Sequence, residues 1–340
     1  MPTLAIIIVS WNVRELLRRC LRSVAESLSE GAITYHIIVV DNASADGTPD
    51  MLRAEFPEVR LIEPGANLGF AAGNNVALRA IMLNDELRML NGPNIQHSTF
   101  NIQHSPDYVL LLNPDTEVVG GAIARLVAEL ESRAELVAAG PRLRYGDGSV
   151  QPSRRRFPTR AGMLWESTPL DRLWPQNPWA RRYRCADAPD DVAQAVGWLV
   201  GAALLVRSAA IARAGLLDER FFMYSEELEW QARLQATGDR RRAAGDRASV
   251  IEYVPEAEVV HHEGKSSEQA VARRHINFQR SKLLLARMWF GWGFAGLLRA
   301  ALRLGYAYEI ATEGLKLMLG HRPDMRRQRI AVYREVLREL

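Results

Sequence analysis

Three polar residues, Asn113, Asp115 and Glu117, follow one of the most apolar segments of the chain, Val109–Leu112. Pro114 cannot continue a β ladder, so we predict that a buried strand ends there and leaves Asp115 at its carboxyl end. Open α/β sheets bind ligands at that edge, and these oxygens can hold a cation. The alternative interpretation is an ordinary strand-to-helix turn in which Asp115 caps the helix.

A second acidic group, Glu226 and Glu227, follows the aromatic stretch Phe221–Tyr224 and precedes a helical pattern that carries Glu229 and Arg233. Acids in a first turn suit the helix dipole, which is the structural interpretation. The catalytic interpretation is that apolar neighbours raise the pKa of one carboxylate toward that of a general base. Adjacent helical residues point about 100° apart, so we expect one of the two to face a substrate.

Alternating strand and helix patterns in the first part of the chain predict a parallel, doubly wound sheet. Ser10 and Asn12 follow the first predicted strand and Asp41 follows the second, which assigns all three to the ligand edge. Asp41 can accept hydrogen bonds from a nucleobase or ribose, or it can make a plain turn. The predicted strands are Leu4–Val9, Tyr35–Val40 and Val59–Ile62, and the predicted helices are Val13–Leu28 and Thr48–Phe56.

A segment rich in glycine and asparagine, Gly65–Asn75, comes next and includes Asn67, Gly69 and Asn74. Glycines allow a close backbone approach and asparagines supply short amide donors, so the segment can cradle a phosphate or nucleotide. Its spacing matches neither the phosphate loop nor the dinucleotide fingerprint.

The chain of 340 residues is 48% apolar and carries a formal net charge of +3, as expected for a folded globular protein. No nucleic-acid motif accompanies its arginine clusters, which predict solvated surface or phosphate contacts. The two cysteines, Cys20 and Cys185, lack the spacing of a metal site and do not support a disulfide framework. The small number of cysteines fits a reducing cytoplasm. The chain starts in a strand pattern without a leader. The apolar run Met288–Leu298 is shorter than the roughly 20 residues that a helix needs to span a bilayer, so we predict no transmembrane segment.

Three regions depart from the alternating pattern. The sequence Asn-Ile-Gln-His-Ser at 94–98 recurs at 101–105, which predicts a mobile surface insertion over 83–106 rather than a histidine metal site. Residues 142–191 are predicted to be irregular. After residue 270 the pattern predicts four amphipathic helices, 276–290, 294–305, 306–319 and 325–340, that mix Trp and Phe with Arg. They suit an interfacial membrane contact, a packed helical cap or a dimer face.

Six segments in order resemble the family 2 nucleotide-sugar glycosyltransferases of the GT-A fold, particularly the rhamnosyltransferase-like branch. The resemblance covers about residues 4–270 and implies a Rossmann-like, doubly wound, mostly parallel central sheet. We therefore expect a catalytic domain at 1–270 and a C-terminal helical region at 271–340. The segments are VSWN, VVDNAS, NLGFAAGNN, LLLNPDTEV, GLLDERFFMYSEELEWQAR and VVHHEGKSS.

The resemblance also assigns roles to residues. It implies that Asp41 contacts the base of the donor and that Asp115 and His261 bind Mn²⁺ or Mg²⁺, with His262 as the alternative ligand. It implies that the second acid, Glu227, is the catalytic base, although the family mostly has aspartate there. The other substrate-binding residues that it implies are Ser10, Asn12, Asn67, Gly69, Asn74, Asn113, Glu226 and Arg233.

These observations predict an inverting, metal-dependent glycosyltransferase that moves a sugar, with rhamnose as a candidate, from a nucleotide diphosphate donor. The predicted acceptor is a glycan or lipid-linked glycan in cell-surface polysaccharide synthesis. We expect a cytoplasmic protein that contacts the inner face of the membrane through its C-terminal helices or forms a homo-oligomer. The alternatives are a nucleotidyltransferase and a non-catalytic nucleotide-sugar-binding protein.

Overall fold

A computed structural model describes residues 1–91, 105–237, 249–262 and 271–340, without the side chains of 83–91. Most of the insertion predicted over 83–106, including the repeated pentapeptide at 94–98, lies outside these residues. The described chain divides into two compact units. The first is Met1–Arg155, Ala188–Arg220 and Glu226–Ser266, and the second is Arg156–Asp187, Phe221–Ser225 and Ser267–Leu340. The domain boundary at residue 270 stays a prediction.

The elements follow one another in this order. The first part of the chain contains β1 (Thr3–Ser10), α1 (Arg14–Ser27), β2 (Thr34–Asp41), α2 (Thr48–Glu55), β3 (Arg60–Ile62), α3 (Gly69–Asn91), β4 (Tyr108–Leu112), β5 (Thr116–Val119), α4 (Ala122–Ser132), β6 (Leu136–Arg144), β7 (Val150–Gln151) and β8 (Arg154–Arg155). The remainder contains α5 (Arg160–Glu166), α6 (Leu170–Leu173), α7 (Pro178–Tyr183), β9 (Gln194–Val196), β10 (Trp198–Leu199), β11 (Ala203–Arg207), α8 (Ser208–Ala214), α9 (Glu226–Ala236), β12 (Val250–His261), α10 (Val271–Met318) and α11 (Pro323–Glu339).

The first unit is built on one large sheet with the strand order β3-β2-β1-β4-β11-β6-β12-β5. Strands β3, β2, β1 and β4 pair in parallel, and β6 pairs in parallel with β12. Strands β11 and β5 run in the opposite direction to their neighbours. Strands β7 and β9 join the same sheet antiparallel to β6 and β12. Six of the ten described strands of this sheet therefore point one way, which confirms the predicted mostly parallel sheet.

Both faces of the sheet are covered, because alternate side chains of each central strand enter different cores. Ile6 and Ile8 of β1 pack with Leu17 and other side chains of α1 and α4. The intervening Ile7 joins a second core that includes Leu78 of α3 and Trp230 of α9. A strand covered on both faces reads as a continuous apolar run, which is why the pattern was visible in the sequence.

The second unit packs α10 and α11 around a core of its own. The prediction of four C-terminal helices is wrong, since α10 runs from Val271 to Met318 with one kink, at Gly291 (φ 85°). The predicted break after Gly305 is absent because Leu298, Leu302 and Tyr306 form one buried stripe through that point. The prediction of an irregular segment over 142–191 is also wrong, because it includes short helices and strands.

Candidate active site

The carboxyl ends of β1 and β2 bring two predicted site residues side by side. Ser10 and Asp41 are register partners, and the Asn42 N–H donates to the Ser10 carbonyl at 2.8 Å. All three side chains are buried. One Asp41 oxygen, Oδ2, accepts from the Ser44 N–H at 2.9 Å and shapes the turn. The turn therefore uses only one of the two carboxylate oxygens.

Three buried oxygens at this edge have no hydrogen-bond partner among the residues that the structure describes. They are Ser10 Oγ, Asp41 Oδ1 and Asn42 Oδ1. An unpaired buried acceptor costs about 1–3 kcal/mol, so a group of three at one sheet edge requires an explanation. A bound polar ligand with hydrogen-bond donors would supply one.

Asn12 joins the loops that follow β1 and β2. Its backbone N–H donates to Ser44 Oγ at 2.9 Å, and its side-chain Oδ1 accepts from the Ala45 N–H at 2.7 Å. Asn12 has φ 53°, a left-handed conformation that asparagine tolerates better than most residues. In this structure Asn12 shapes the edge beside Asp41.

The start of α3 reaches the same edge. Asn42 Nδ2 donates to the Gly69 carbonyl at 3.0 Å, while Asn67 Oδ1 accepts from the Gly69 N–H at 3.0 Å. Asn74 is buried, and its Nδ2 donates to the Phe70 carbonyl at 2.9 Å. Three of the predicted donor-site residues, Asn67, Gly69 and Asn74, thus lie together, with both asparagines bonded to nearby backbone.

The end of β4 brings Asp115 to His261, the last residue of β12. His261 Nε2 lies 3.3 Å from Asp115 Oδ1, and both side chains are buried. Asn113 Nδ2 lies 3.4 Å from the same His261 nitrogen. The antiparallel pairing of β12 with β5, in which His261 opposes Thr116, creates this contact between residues far apart in sequence.

The tautomer of His261 follows from two amide neighbours, Gln151 of β7 and Asn113. His261 Nδ1 lies 3.0 Å from Gln151 Oε1. An amide oxygen only accepts and an amide nitrogen only donates, so the neutral ring carries its proton on Nδ1 and accepts from Asn113 Nδ2 at Nε2. The same Nε2 faces a carboxylate oxygen of Asp115. An imidazole nitrogen and a carboxylate oxygen that face each other are a pair of atoms suited to a divalent cation.

His262, the alternative ligand, faces a different acid. Its Nε2 lies 2.7 Å from Glu117 Oε1, and both side chains are partly exposed. Successive strand residues point to opposite faces, which separates this pair from the pair of Asp115 and His261. The His262 backbone N–H donates to the Asp115 carbonyl at 2.9 Å, but the side chain that meets the Asp115 carboxylate is that of His261.

The described residues contain no group of three or more His, Cys, Asp or Glu side chains that could hold a metal. Cys20 lies near the Asp115 turn, with its Sγ 3.5 Å from Thr116 Oγ1. Burial raises the pKa of this thiol to about 12, so without a metal the side chain is a neutral thiol at neutral pH. Among the described residues, Asp115 and His261 are the buried carboxylate and imidazole that face each other here, and a cation held by these two would need further ligands from a substrate.

Helix α9 carries the acidic pair. Glu226 is buried and Glu227 is partly exposed. A Cβ atom added at Gly201 would lie 3.3 Å from the Glu227 Cβ, so the Gly201 turn packs closely against this carboxylate stem. The next residue, Ala202, accepts a hydrogen bond from the Asn113 N–H at 2.8 Å. A single short segment thus links Glu227 to the end of β4.

The position of α9 is fixed by Gln231, one helical turn after Glu227. The Leu199 N–H donates to Gln231 Oε1 at 2.8 Å, and Gln231 Nε2 donates to the Leu199 carbonyl at 2.8 Å. The side chain is fully buried and pairs with β10 as another strand would. Gln235, one turn further, donates to the Gly197 carbonyl at 2.7 Å. Gln231 thereby holds the Glu227 face of the helix against the Gly201 turn.

Arg233 is engaged within the protein. Its guanidinium makes a bidentate ion pair with Glu229, with Nε–Oε1 and Nη2–Oε2 distances of 2.8 Å. It also donates to the carbonyls of Ala214 and Leu216 at the end of α8. These contacts fasten α8 to α9, and the role of Arg233 in substrate binding stays a prediction.

We expect Gln231→Met to destabilise the protein by about 2–5 kcal/mol, because it leaves the buried N–H and C=O of Leu199 without partners. Gln235→Met is the matched control. Gln235 is partly exposed and serves carbonyls alone, so its loss should cost under about 1 kcal/mol. Chemical denaturation of both variants measures the free energies of unfolding. Equal losses would contradict the role given to the Gln231 amide.

Sequence patterns did not reveal three residues of this site. Asn42 directly follows Asp41, so its position beside a predicted site residue was the signal that could have identified it. Gln231 follows Glu227 by four residues, which is the spacing of one helix face. Gln151 had no local signal, because the pairing of β7 with β6 is what brings it to His261.

Comparison with known proteins agrees with the resemblance. The profile of Glycosyl transferase family 2 matches residues 5–82. N-acetylglucosaminyl-diphospho-decaprenol L-rhamnosyltransferase of Mycobacterium tuberculosis is 35% identical over 276 residues, which are 79% of this chain and 81% of that protein. The low-salt glycan biosynthesis hexosyltransferase Agl10 of Haloferax volcanii is 27% identical over 228 residues, 67% of this chain and 60% of that protein.

The fold is similar to that of GalNAc-T7, solved with UDP, GalNAc and Mn²⁺. The TM-score is 0.54 at 13% identity, and the match covers 96% of this chain and 55% of GalNAc-T7. This likeness concerns the fold alone and confirms the predicted GT-A architecture. The 35% identity to the mycobacterial enzyme over most of both chains carries the family assignment. The chain belongs to glycosyl transferase family 2 and is a rhamnosyltransferase-like glycosyltransferase.

Proposed function

We propose that the chain is an inverting, metal-dependent glycosyltransferase that moves a sugar from a nucleoside diphosphate to a lipid-linked glycan acceptor. The observation that carries this proposal is the contact of the Asp115 carboxylate with His261 Nε2, at 3.3 Å, at the end of β4. The Gly201 turn links that edge to Glu227 on α9. One region of the first unit therefore offers the groups for holding a diphosphate and for deprotonating a hydroxyl.

The donor nucleoside would bind at the ends of β1 and β2. Ser10 Oγ, Asp41 Oδ1 and Asn42 Oδ1 are buried acceptors that the amide and hydroxyl groups of a base and ribose could satisfy. The start of α3 would flank the diphosphate, because the first N–H groups of a helix favour anions. Asn12 would act by shaping the loop that carries Asp41.

The residues at the end of β4 fit a divalent cation. Asp115 supplies a carboxylate oxygen and His261 supplies an imidazole nitrogen, a ligand set that suits Mn²⁺ better than Mg²⁺. Divalent cations in phosphate-transfer sites are often bound by one or two side chains together with substrate phosphates, which agrees with only two protein ligands. When bound, the cation would neutralise the charge that develops on the leaving diphosphate.

Glu227 would act as the general base. Its carboxylate would take the proton of the acceptor hydroxyl as that oxygen forms a bond to the anomeric carbon and the bond from that carbon to the diphosphate oxygen breaks. A single displacement inverts the configuration of the anomeric carbon. Gln231 holds the helix that carries the base, and Glu226 on the adjacent helical position is buried away from the partly exposed edge.

The mycobacterial relative supports the choice of substrates. Its name specifies rhamnosyl transfer to N-acetylglucosaminyl-diphospho-decaprenol, and the present chain covers 81% of it. We propose that the sugar is rhamnose and that the acceptor is an amino sugar on a lipid diphosphate, in cell-surface polysaccharide synthesis. The site of action would be the cytoplasmic face of the membrane.

Thermal shift with a panel of nucleotide sugars tests the donor assignment. We expect Mn²⁺ together with one nucleotide sugar to raise the melting temperature, because a ligand at 100 times its Kd stabilises by about 2.7 kcal/mol. Mn²⁺ alone and nucleotide sugar with EDTA are the controls, and each should give a smaller shift. A full shift in the presence of EDTA would refute the metal requirement.

A further inference from the structure

The second half of α10 exposes a continuous apolar surface. After the kink at Gly291, large apolar side chains are open to solvent, with exposed fractions of 72% for Leu304 and 81% for Met318. We define the α10 stripe as Leu297, Ala300, Leu304, Tyr308, Ala311, Leu315 and Met318, all of which are exposed. At 100° per residue these positions lie within an arc of about 80°, and the stripe is about 32 Å long.

The orientation of this helix is fixed by its opposite face. Leu298, Leu302 and Tyr306 are buried in the core of the second unit, together with Val336 of α11. A surface helix normally turns its apolar side chains inward, and this one has apolar side chains on both faces. The outward stripe is therefore an exposed patch of the kind that marks a protein or membrane contact.

The charges on this helix are segregated by sign. Between residues 292 and 319 the sequence has two carboxylates, Glu309 and Glu313, and both turn inward to arginines. Glu309 pairs with Arg172 at 2.6 Å, and Glu313 pairs with Arg326 at 2.6 Å. Arg303 is exposed and lies about 60° from the edge of the stripe, whereas Arg299, also exposed, lies about 100° from it. Positive charge from Arg303 therefore flanks the stripe, and the second half of α10 has no exposed carboxylate.

An exposed aromatic side chain lies next to the kink, five residues before the first residue of the stripe. Trp292 is 75% exposed, and the guanidinium of Arg287 lies 4.3 Å from its ring centroid. Exposed tryptophan beside a cation is the side-chain combination that settles at the level of lipid head groups. None of the helices in the described parts of the chain is long and apolar enough to cross a bilayer. The features of α10 are those of a helix that lies in the membrane interface.

We propose that the α10 stripe binds the surface of a bilayer that contains anionic phospholipid, with the helix parallel to the membrane plane. The apolar side chains would enter the head-group boundary, and Arg303, at the flank of the stripe, would meet lipid phosphates. A dimer formed through the same stripe would bring Arg303 from both copies to one interface, without an exposed acid on this part of the helix to pair with them. Charge complementarity therefore favours the lipid surface over a second copy.

This surface would bring the enzyme to the lipid-linked acceptor, and in that respect alone it rests on the proposed function. Membrane binding itself requires neither donor nor metal. Its failure can therefore be distinguished from failure of the proposed function, because donor binding is measured without vesicles.

Vesicle flotation of the full chain tests the proposal. We expect binding to vesicles of mixed phosphatidylglycerol and phosphatidylcholine, weaker binding to phosphatidylcholine alone, and release at high salt. Leu304→Glu should lower the bound-to-free ratio on anionic vesicles about tenfold, because it puts a charge at the centre of the apolar stripe. The matched control is Leu173→Glu on α6, an equally exposed leucine off the stripe, which should change it less than about twofold.

Both leucines are exposed, so both variants should keep the wild-type melting temperature and donor affinity. Three results would overturn the proposal: wild-type protein that stays unbound with anionic vesicles, equal binding by Leu304→Glu and wild type, or equal binding to neutral and anionic vesicles. A wild-type dimer that Leu304→Glu dissociates, without vesicle binding, would assign the stripe to a second copy instead.

Discussion

Asp115→Ala should abolish the metal-dependent part of nucleoside diphosphate binding and leave the fold intact. Asp115 is a buried carboxylate 3.3 Å from His261 Nε2, so its removal leaves one of the two proposed protein ligands for a cation. We expect the affinity in the presence of Mn²⁺ to fall at least about 100-fold, which corresponds to about 2.7 kcal/mol. Isothermal titration calorimetry with and without EDTA measures the change directly.

Glu117→Ala is the matched control for that experiment. Glu117 lies on β5, two residues after Asp115, but it pairs with His262 instead of His261. Its removal should leave the Mn²⁺-dependent affinity within about threefold, under 1 kcal/mol. If Glu117→Ala lost the metal-dependent binding while Asp115→Ala retained it, the cation site would belong to Glu117 and His262.

Glu227→Gln should lose transfer while it retains the donor. The amide keeps the size of the side chain and its packing against Gly201, but it has no basicity. General-base catalysis contributes roughly 10² to 10⁴-fold, about 3–5 kcal/mol, so we expect kcat to fall by that factor. Donor affinity should stay within about threefold, because the base acts on the acceptor hydroxyl in the transition state.

Glu226→Gln distinguishes the two adjacent acids. Glu226 is buried and points about 100° away from Glu227 on the helix, so its replacement should lower kcat much less. A larger loss in Glu226→Gln than in Glu227→Gln would identify Glu226 as the base. Unchanged transfer in both variants would exclude α9 from the chemistry.

The sheet of the first unit was largely predictable because its central strands are covered on both faces. Such strands appear as uninterrupted apolar runs, and β1, β2 and β4 were all located from that pattern. Edge and irregular strands were harder to predict. The apolar run over 197–206 is divided into β10 and β11 by the Gly201 turn. Strand β12 continues past Pro255, a residue that usually ends a strand, with a register shift between Val254 and Glu258.

Residues of the candidate site were predictable where they follow a strand directly. Ser10, Asp41 and Asp115 were found because the carboxyl ends of parallel strands meet at one edge. Gln151 was not found, because its contact with His261 depends on pairing between distant segments. The C-terminal helices show the same limit. Their apolar residues were visible, but the division into an inward and an outward face depends on the position of the core.

Sugar transfer itself tests the central claim most directly. Wild-type enzyme with Mn²⁺, a rhamnosyl nucleotide and a lipid-diphosphate N-acetylglucosamine acceptor should release nucleoside diphosphate and form a disaccharide of inverted anomeric configuration, as resolved by proton NMR. Omission of the acceptor, addition of EDTA or the Glu227→Gln substitution should each stop product formation. Product of retained configuration, or equal turnover by wild type and Glu227→Gln, would contradict single displacement with Glu227 as the base.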